Sequence, residues 1–191
     1  METELCKLAL KYGADKCPQI NHMYTPFYYE YLKDKKYSIK KVLEFGVGNN
    51  SIIPFIPGYK PGASLRMWRD FFPNAQIYGA DIAKEAIFTE DRITTFYANE
   101  FEKESVEKLI TKTGSDIDLF IDDADHHTNR QIDLCEILMP LLKKDVIYII
   151  EDCNRTGEVQ KHFPQYDCFI PELMVNPRPR SHGGIIVLRN R

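Results

Sequence analysis

Residues 117–152 decide the fold, and their sequence is IDLFIDDADHHTNRQIDLCEILMPLLKKDVIYIIED. Its apolar runs Ile117–Ile121 and Val146–Ile150 are typical of buried strands. Between them, Asn129–Leu142 repeats apolar residues at helical spacing. A strand, a helix and a second strand at this length form a βαβ crossover, so we expect the two strands to be parallel.

Further strand and helix patterns lie on both sides of this crossover. The other predicted strands are Lys41–Phe45, Gln76–Gly79, Ile93–Tyr97, Cys168–Leu173 and Ile185–Leu188, and the other predicted helices are Gly62–Phe72 and Ser105–Thr111. The pattern predicts an α/β, Rossmann-like fold with a doubly wound, mostly parallel seven-stranded sheet and an antiparallel C-terminal hairpin. We expect a single domain, residues 1–191, in which residues 1–38 form an N-terminal helical cap on a core of residues 39–191.

The composition excludes several classes of protein. The 191 residues are 43% hydrophobic and 28% charged, which is the balance of a globular domain. A formal charge of −3 argues against a nucleic-acid binder, and no apolar run approaches the roughly 18 residues of a membrane span. The N-terminus is too polar for a signal peptide, and the five cysteines are an odd number without a CxxC motif. We therefore expect a cytoplasmic protein.

Polar, mostly acidic side chains lie at or just after the ends of the first five predicted strands. These residues are Glu44, Asp81, Asn99, the pair Asp122 and Asp123, and the pair Glu151 and Asp152. In a doubly wound sheet, ligands bind at the carboxyl ends of the strands. Clustered acids repel one another unless a cation compensates their charge or a hydroxyl-rich ligand donates hydrogen bonds to them. A ligand of one of these kinds is therefore expected at this edge.

The first strand ends in a glycine turn, Glu44-Phe45-Gly46-Val47-Gly48. Glycines permit a tight turn and a close approach of backbone amides to a ligand. The third glycine of a dinucleotide fingerprint is missing, which disfavours NAD. A simple strand-to-helix turn would also explain the two glycines. Asp81, after the next strand, favours a ligand because an acid at that position can accept both hydroxyls of a ribose.

A second group of acids follows the two strands of the crossover. Asp123, Glu151 and Asp152 end adjacent strands and can converge on one point. Carboxylate oxygens arranged in this way suit Mg²⁺ or Mn²⁺, whereas the Cys/His spacing of a zinc site is missing. His126 lies beside this predicted metal site and is a candidate base, although a solvated loop histidine is the simpler interpretation of any single His.

The glycine turn followed by Asp81 resembles the class I S-adenosylmethionine-dependent methyltransferases. The resemblance implies that Glu44, Gly46 and Gly48 line the cofactor and that Asp81 holds its ribose. It also places Asn99 beside the adenine and Asp122 near the amino group of the cofactor. These two residue assignments follow from the resemblance alone.

The segment IDDADHH…IIED resembles the IDDGSHH…VIED pattern of metal-dependent sugar O-methyltransferases of the macrocin and mycinamicin type. Further matching blocks are Tyr12–Lys16, His22–Tyr28 and Gly62–Trp68. The resemblance implies that Asp123, Glu151 and Asp152 bind the metal ion and that His126 is the general base. It also implies that Ser64, Tyr24 and Tyr28 approach the methionine end of the cofactor. The implied reaction is methylation of a sugar hydroxyl.

Several positions depart from the family pattern. Asp125 stands where the family has Ser, and its added charge is expected to raise the proton affinity of His126. Cys153–Thr156 replaces the Thr-Ser-Tyr that often follows the second acidic pair, so acceptor contacts from this loop are not implied. The large N-terminal domain of some antibiotic-sugar enzymes has no counterpart, so their oligomeric assembly is not implied either.

The compact chain is similar to the methyltransferase domains of large-virus glycan-synthesis proteins that cap rhamnose. That similarity implies a glycan or small-molecule sugar acceptor and, for a viral protein, the host cytoplasm. A homo-oligomer and a domain of a larger multifunctional protein both stay open. Tyr28, Trp68, Phe163 and the basic loop Arg178–His182 are candidates for an acceptor pocket wall, although core packing and a solvated hairpin explain them equally well.

Three other functions remain compatible with parts of the sequence. A catechol-type enzyme would use the same cofactor and metal on planar phenols. A metal-dependent phosphoesterase would use the acids and His126 but leaves the glycine turn and Asp81 unexplained. A binding module without turnover would explain the glycines but not the combination of base and metal ligands.

Overall fold

The computed structural model describes residues 2–49, 55–173 and 183–191. The predicted basic loop Arg178–His182 lies outside these ranges. Among the described residues, no helix is both long enough and apolar enough to cross a membrane.

The described strands form a single mixed sheet. They are β1 (Lys41–Phe45), β2 (Gln76–Asp81), β3 (Thr89–Glu90), β4 (Ile93–Tyr97), β5 (Leu119–Asp122), β6 (Ile147–Cys153), β7 (Tyr166–Phe169) and β8 (Gly184–Asn190). Their order is β3-β4-β2-β1-β5-β6-β8-β7. Neighbours from β4 to β6 are parallel, whereas β8 and β7 form an antiparallel hairpin at one edge. The predicted fold class is therefore confirmed.

The described sheet has eight strands rather than the predicted seven. The additional strand, β3, contains only two residues and pairs antiparallel with β4 at the other edge. Two residues are too few for an alternating pattern, so no periodicity could reveal this strand.

The described helices cover both faces of the sheet. The α-helices are α1 (Glu4–Tyr12), α2 (Tyr24–Leu32), α3 (Ala63–Phe71), α4 (Lys103–Thr113), α5 (Thr128–Leu138) and α6 (Thr156–His162), and Lys33–Lys35 and Lys84–Ala86 form short 3₁₀ helices. Helix α5 ends four residues before the predicted Leu142. Pro140 explains the difference, because proline disfavours helical geometry at the residue before it and has no amide to donate.

Two hydrophobic cores flank the sheet, one on each face. Ile147 and Ile149 of β6 pack into one core, whereas Tyr148 and Ile150 pack into the other. This alternation is expected because successive strand residues point to opposite faces. The first core also contains apolar residues of α1, α2 and α3, and the second contains those of α4, α5 and α6. The N-terminal helices therefore share a core with the sheet.

Candidate active site

A cavity of about 450 Å³ opens at the carboxyl ends of the parallel strands, which is within the usual size of small-molecule sites. The predicted site residues that line it are Gly46, Gly48, Ser64, Asp81, Asp123, His126 and Asp152. Residues from β1, β2, β5 and β6 thus meet at one edge, as the crossover topology requires.

The glycine turn after β1 has a geometry that requires glycine. Gly46 has a φ of 93° and Gly48 a φ of 77°, which side chains rarely allow. A Cβ atom on Gly46 would lie 1.9 Å from the carbonyl oxygen of Asp123. The turn therefore packs directly against the acidic segment, and this contact joins the two predicted sites.

Asp81 fixes the glycine turn from the neighbouring strand. Its Oδ2 accepts hydrogen bonds from the backbone amides of Val47 at 2.9 Å and Gly48 at 3.1 Å. Its Oδ1 accepts one from the amide of Ala83 at 2.8 Å. The side chain lines the cavity, so its predicted contact with a ribose stays a prediction. Sequence reasoning did not anticipate that this acid also organises the turn.

Glu44 lies behind the cavity wall rather than in it. Ser64 Oγ donates to Glu44 Oε1, and Trp68 Nε1 donates to Oε2 at 2.6 Å. Burial raises the pKa of Glu44. Since Ser64 lines the cavity and Glu44 does not, Glu44 acts on the cavity by fixing Ser64. The predicted direct contact between Glu44 and the cofactor is not supported.

The two predicted cofactor tyrosines hold acids instead. Tyr28 donates to Glu151 Oε1 at 2.5 Å, and Tyr24 donates to Asp152 Oδ1 at 2.9 Å. Neither tyrosine lines the cavity. The predicted aromatic wall is also wrong for Trp68 and Phe163, because both side chains are fully buried in the cores.

Asn99 is turned away from the cavity. Its Nδ2 donates to Glu102 Oε1 at 2.9 Å, and its Oδ1 accepts from the amide of Phe101 at 3.1 Å. The next residue, Glu100, lines the cavity in its place. A sequence pattern does not resolve which of two adjacent polar residues faces inward after a strand end.

Asp122 is buried at the end of β5 and does not line the cavity. Its Oδ2 has no hydrogen-bond partner, and burial raises its pKa to about 8. The carboxylate of Asp122 therefore does not reach the cavity in which the cofactor's amino group was predicted to lie.

We expect Asp122→Asn to stabilise the protein by up to about 4 kcal/mol at pH 7. In the folded protein Asp122 has a pKa of about 8, whereas an unfolded Asp has a pKa of about 3.9. The free energy of unfolding of the wild type therefore falls as the pH rises from about 4 to about 8. The gain should thus vanish near pH 4 and be largest above pH 8. Urea unfolding across this range, with the exposed Asp133→Asn as control, measures it. A pH-independent difference would contradict the prediction.

Asp123, His126 and Asp152 form the core of the acidic cluster. They offer ligand atoms that all lie within 4.8 Å of one another. His126 Nε2 is 3.4 Å from Asp123 Oδ1 and 3.9 Å from Asp152 Oδ2. The carboxylate oxygens of Asp123 and Asp152 suit a divalent cation, so these donors fit the predicted metal ion.

Glu151, the third predicted metal ligand, lies deeper than the other two acids. Both of its carboxylate oxygens are engaged, Oε1 by Tyr28 and Oε2 by Lys16 Nζ at 2.6 Å. The side chain is 1% exposed. The structure therefore brings Asp123 and Asp152 together at the cavity and leaves Glu151 behind them.

His126 has a raised pKa, and the predicted contribution of Asp125 is smaller than that of three other acids. Burial lowers the pKa, and the neighbouring acids Asp123, Asp152 and Glu151 outweigh that effect and raise it to about 9. Asp125 instead pairs with the next histidine, accepting from His127 Nδ1 at 2.7 Å. The side chain of His126 is 47% exposed, so protons can exchange with solvent.

Sequence reasoning missed two N-terminal residues of the site. Lys16 and His22 both line the cavity, although neither was predicted as a site residue. His22 stacks on Tyr24, and its Nδ1 lies 3.5 Å from Asp152 Oδ1. Hydrophobic periodicity carries no signal for such residues, and only the matching blocks Tyr12–Lys16 and His22–Tyr28 pointed to this segment.

The strand order, the glycine turn after β1 and the acid after β2 define the class I methyltransferase fold. A solved O-methyltransferase from Bacillus cereus in complex with SAH has the same architecture, with a TM-score of 0.62 at 13% identity over 98% of this chain and 90% of that chain. No family model matches the sequence.

The relatives with similar sequences are sugar O-methyltransferases. Mycinamicin VI 2''-O-methyltransferase of Micromonospora griseorubida is 33% identical over 153 residues, 78% of this chain and 36% of that protein. The 8-demethyl-8-alpha-L-rhamnosyl tetracenomycin-C 2'-O-methyltransferase of Streptomyces olivaceus is 32% identical over 152 residues, 78% of this chain and 37% of that protein. The chain thus spans little more than a third of the length of these relatives.

A solved relative supports the same assignment. The MycE methyltransferase from the mycinamycin biosynthetic pathway, in complex with Mg, SAH and mycinamycin VI, has a TM-score of 0.76 and 25% identity over 98% of this chain and 54% of that chain. The resemblance to sugar O-methyltransferases of the macrocin and mycinamicin type is confirmed.

Proposed function

We propose that this chain is an S-adenosylmethionine-dependent O-methyltransferase that uses a divalent metal ion and methylates a sugar hydroxyl. A deoxysugar such as rhamnose, on a glycan or glycoside, is the proposed acceptor. One observation carries the proposal: the glycine turn and the group Asp123, His126 and Asp152 face the same cavity. The names of the relatives, which include rhamnosyl and macrolide sugar substrates, support the acceptor class.

The proposed cofactor side of the cavity consists of Gly46, Gly48, Ser64 and Asp81. The glycines let the backbone approach the cofactor, Ser64 faces its methionine end, and Asp81 accepts from its ribose. We propose supporting roles for the buried residues that do not line the cavity. Glu44 fixes Ser64, and the two tyrosines Tyr24 and Tyr28 fix the acids of β6.

Asp123 and Asp152 are the proposed metal ligands at the cavity, and Glu151 joins them when Lys16 or Tyr28 releases one of its oxygens. When bound, S-adenosylmethionine supplies the methyl group, and a divalent ion supplies positive charge that favours loss of the acceptor's hydroxyl proton. In its neutral form His126 accepts that proton at Nε2, as the acceptor oxygen bonds to the methyl carbon and the bond between that carbon and sulfur breaks. The positive charge of a bound ion would lower the raised pKa of His126 and so favour the neutral form. Asp123 and Asp152 stabilise the imidazolium that forms, because they lie within 4 Å of it.

A methyl-transfer screen with labelled S-adenosylmethionine tests the proposed function. Free deoxysugars, rhamnosylated glycans and catechols are compared, each with Mg²⁺, with Mn²⁺ and with EDTA. We expect label to move to sugar hydroxyls only when a metal ion is present. Label on catechols alone would show that the acceptor is a phenol and not a sugar. Transfer to none of the acceptors would contradict enzymatic methylation.

We expect Asp81→Asn to weaken S-adenosylhomocysteine binding by roughly 10- to 100-fold. The change removes a charged acceptor, and hydrogen bonds to charged groups contribute about 1.5–3 kcal/mol. It also weakens the two bonds that Asp81 Oδ2 accepts from the glycine turn. Isothermal titration calorimetry measures the affinity, and Asp91→Asn at an 87% exposed position is the control. Equal affinities in wild type and Asp81→Asn would contradict the cofactor site.

A further inference from the structure

We propose that Lys16 is a resident cation of the acidic cluster, which holds Asp123 and Glu151 together without a metal ion and competes with a divalent ion for them. In this role Lys16 is a positioning residue. The inference rests on the proposed metal site, and it adds a residue that sets how tightly that site binds its ion.

The first support is the position of the ammonium group. Lys16 Nζ lies 2.6 Å from Asp123 Oδ2 and 2.6 Å from Glu151 Oε2. The side chain is 1% exposed, and a buried ammonium is costly unless it is paired. Lys16 therefore bridges acids from two adjacent strands, β5 and β6.

The second support is that Asp123 faces two ways. Its Oδ2 accepts from Lys16, whereas its Oδ1 faces His126 at 3.4 Å. One oxygen of Asp123 is thus bound to the lysine, and the other belongs to the group of atoms that can hold a metal ion. A divalent ion that needs both oxygens, or an oxygen of Glu151, has to displace Lys16.

The third support is that the backbone of Lys16 is fixed. Its carbonyl accepts hydrogen bonds from the amides of Tyr24 at 3.1 Å and Thr25 at 3.0 Å, at the start of α2. The carbonyl of Asp15 accepts from the amide of His22 at 2.8 Å. Because these hydrogen bonds fix the backbone of Lys16 to α2, the backbone cannot move away from the acids. An ion that displaces Lys16 therefore has to displace its side chain alone.

The charge balance gives Lys16 two opposite effects. Glu44, Asp123, Glu151 and Asp152 are all acids in or directly behind the cluster, and Lys16 opposes the charges of the first three. His22 and His126 are the other basic groups that face these acids among the described residues. Lys16 should therefore stabilise the metal-free protein and, by its positive charge, weaken the attraction of the cluster for a divalent ion.

Lys16→Met and Lys16→Gln test this role, the second variant retaining a hydrogen-bond donor without the charge. We expect both to lower the melting temperature in EDTA and to tighten Mn²⁺ binding by about tenfold or more, which corresponds to about 1.4 kcal/mol. Saturating Mn²⁺ should raise their melting temperatures more than that of the wild type. Calorimetry and Mn²⁺ titration provide these readouts without an acceptor. The control is Lys143→Met, which removes a lysine paired with Asp118 at the opposite strand ends.

The outcomes separate this inference from the proposed function. Tighter Mn²⁺ binding with a lower melting temperature in EDTA supports it. Unchanged or weaker Mn²⁺ binding in both variants overturns it and leaves a metal-binding wild type intact. Mn²⁺ binding by the variants but not by the wild type supports the resident cation and overturns metal use by the native protein. If no form binds Mn²⁺, both the competition and the metal site are wrong, whereas S-adenosylhomocysteine binding still tests the cofactor site.

Discussion

His126→Ala should lower the rate of methyl transfer by roughly 10²- to 10⁴-fold while S-adenosylhomocysteine binds with nearly wild-type affinity. The imidazole lines the cavity, and its Nε2 faces the carboxylates of Asp123 and Asp152. Alanine removes the proton acceptor without touching the glycine turn, so the loss is expected in turnover and not in cofactor binding.

His127→Ala is the matched control for this variant. His127 is the next residue, its side chain is 87% exposed, and it pairs with Asp125 rather than with the metal-site acids. Single-turnover kinetics with labelled cofactor compare the two variants at saturating acceptor. Equal losses in both variants, or an unchanged rate in His126→Ala, would exclude His126 as the base.

The fold could be predicted from the sequence largely because its central strands are continuous apolar runs. Strands buried on both faces, such as Ile147–Ile150 within β6, show no alternation and are recognised by composition and length. Because the prediction ended this strand with its last apolar residue, Ile150, it missed the final three residues of β6. Glu151 and Asp152 belong to the strand, but acids resemble the start of a loop when the sequence alone is considered.

The candidate site could be predicted only in part, because strand ends indicate a location and not a direction. Asp81, Asp123 and Asp152 face the cavity, whereas Glu44, Asp122 and Glu151 are buried behind it. Side-chain direction after a strand depends on the local turn. Asp152, for example, has a φ of 47°, an unusual value that no sequence pattern reveals.

Lys16 shows a further limit of sequence reasoning. A buried lysine is rare unless it is paired, and its partners Asp123 and Glu151 are more than one hundred residues away in the chain. Such a contact depends on how the N-terminal segment packs over the sheet. Local patterns carry no information about that packing, so the cation that accompanies the acids could not be inferred from them.

Removal of the metal ion should cause the other large loss in the rate of methyl transfer. Dialysis against EDTA is expected to lower the rate by at least about 10²-fold, because the positive charge of a bound metal ion contributes several kcal/mol to catalysis. Asp123→Asn should be as slow as the EDTA-treated wild type, and added Mg²⁺ or Mn²⁺ should not restore it. The substitution preserves size but removes the charge shared by Lys16 and His126.

Asp125→Asn separates loss of the metal site from a general change in charge. Asp125 is two residues away and bonds to His127, so its variant should still respond to Mg²⁺ and EDTA like the wild type. Titration with S-adenosylhomocysteine shows whether Asp123→Asn preserves the cofactor site. A wild type with full activity in EDTA would contradict the metal requirement, and the acids would then act on His126 through their charge alone. In that case Asp123→Asn should still lower the pKa of His126, because it removes the nearest of the carboxylates that raise it.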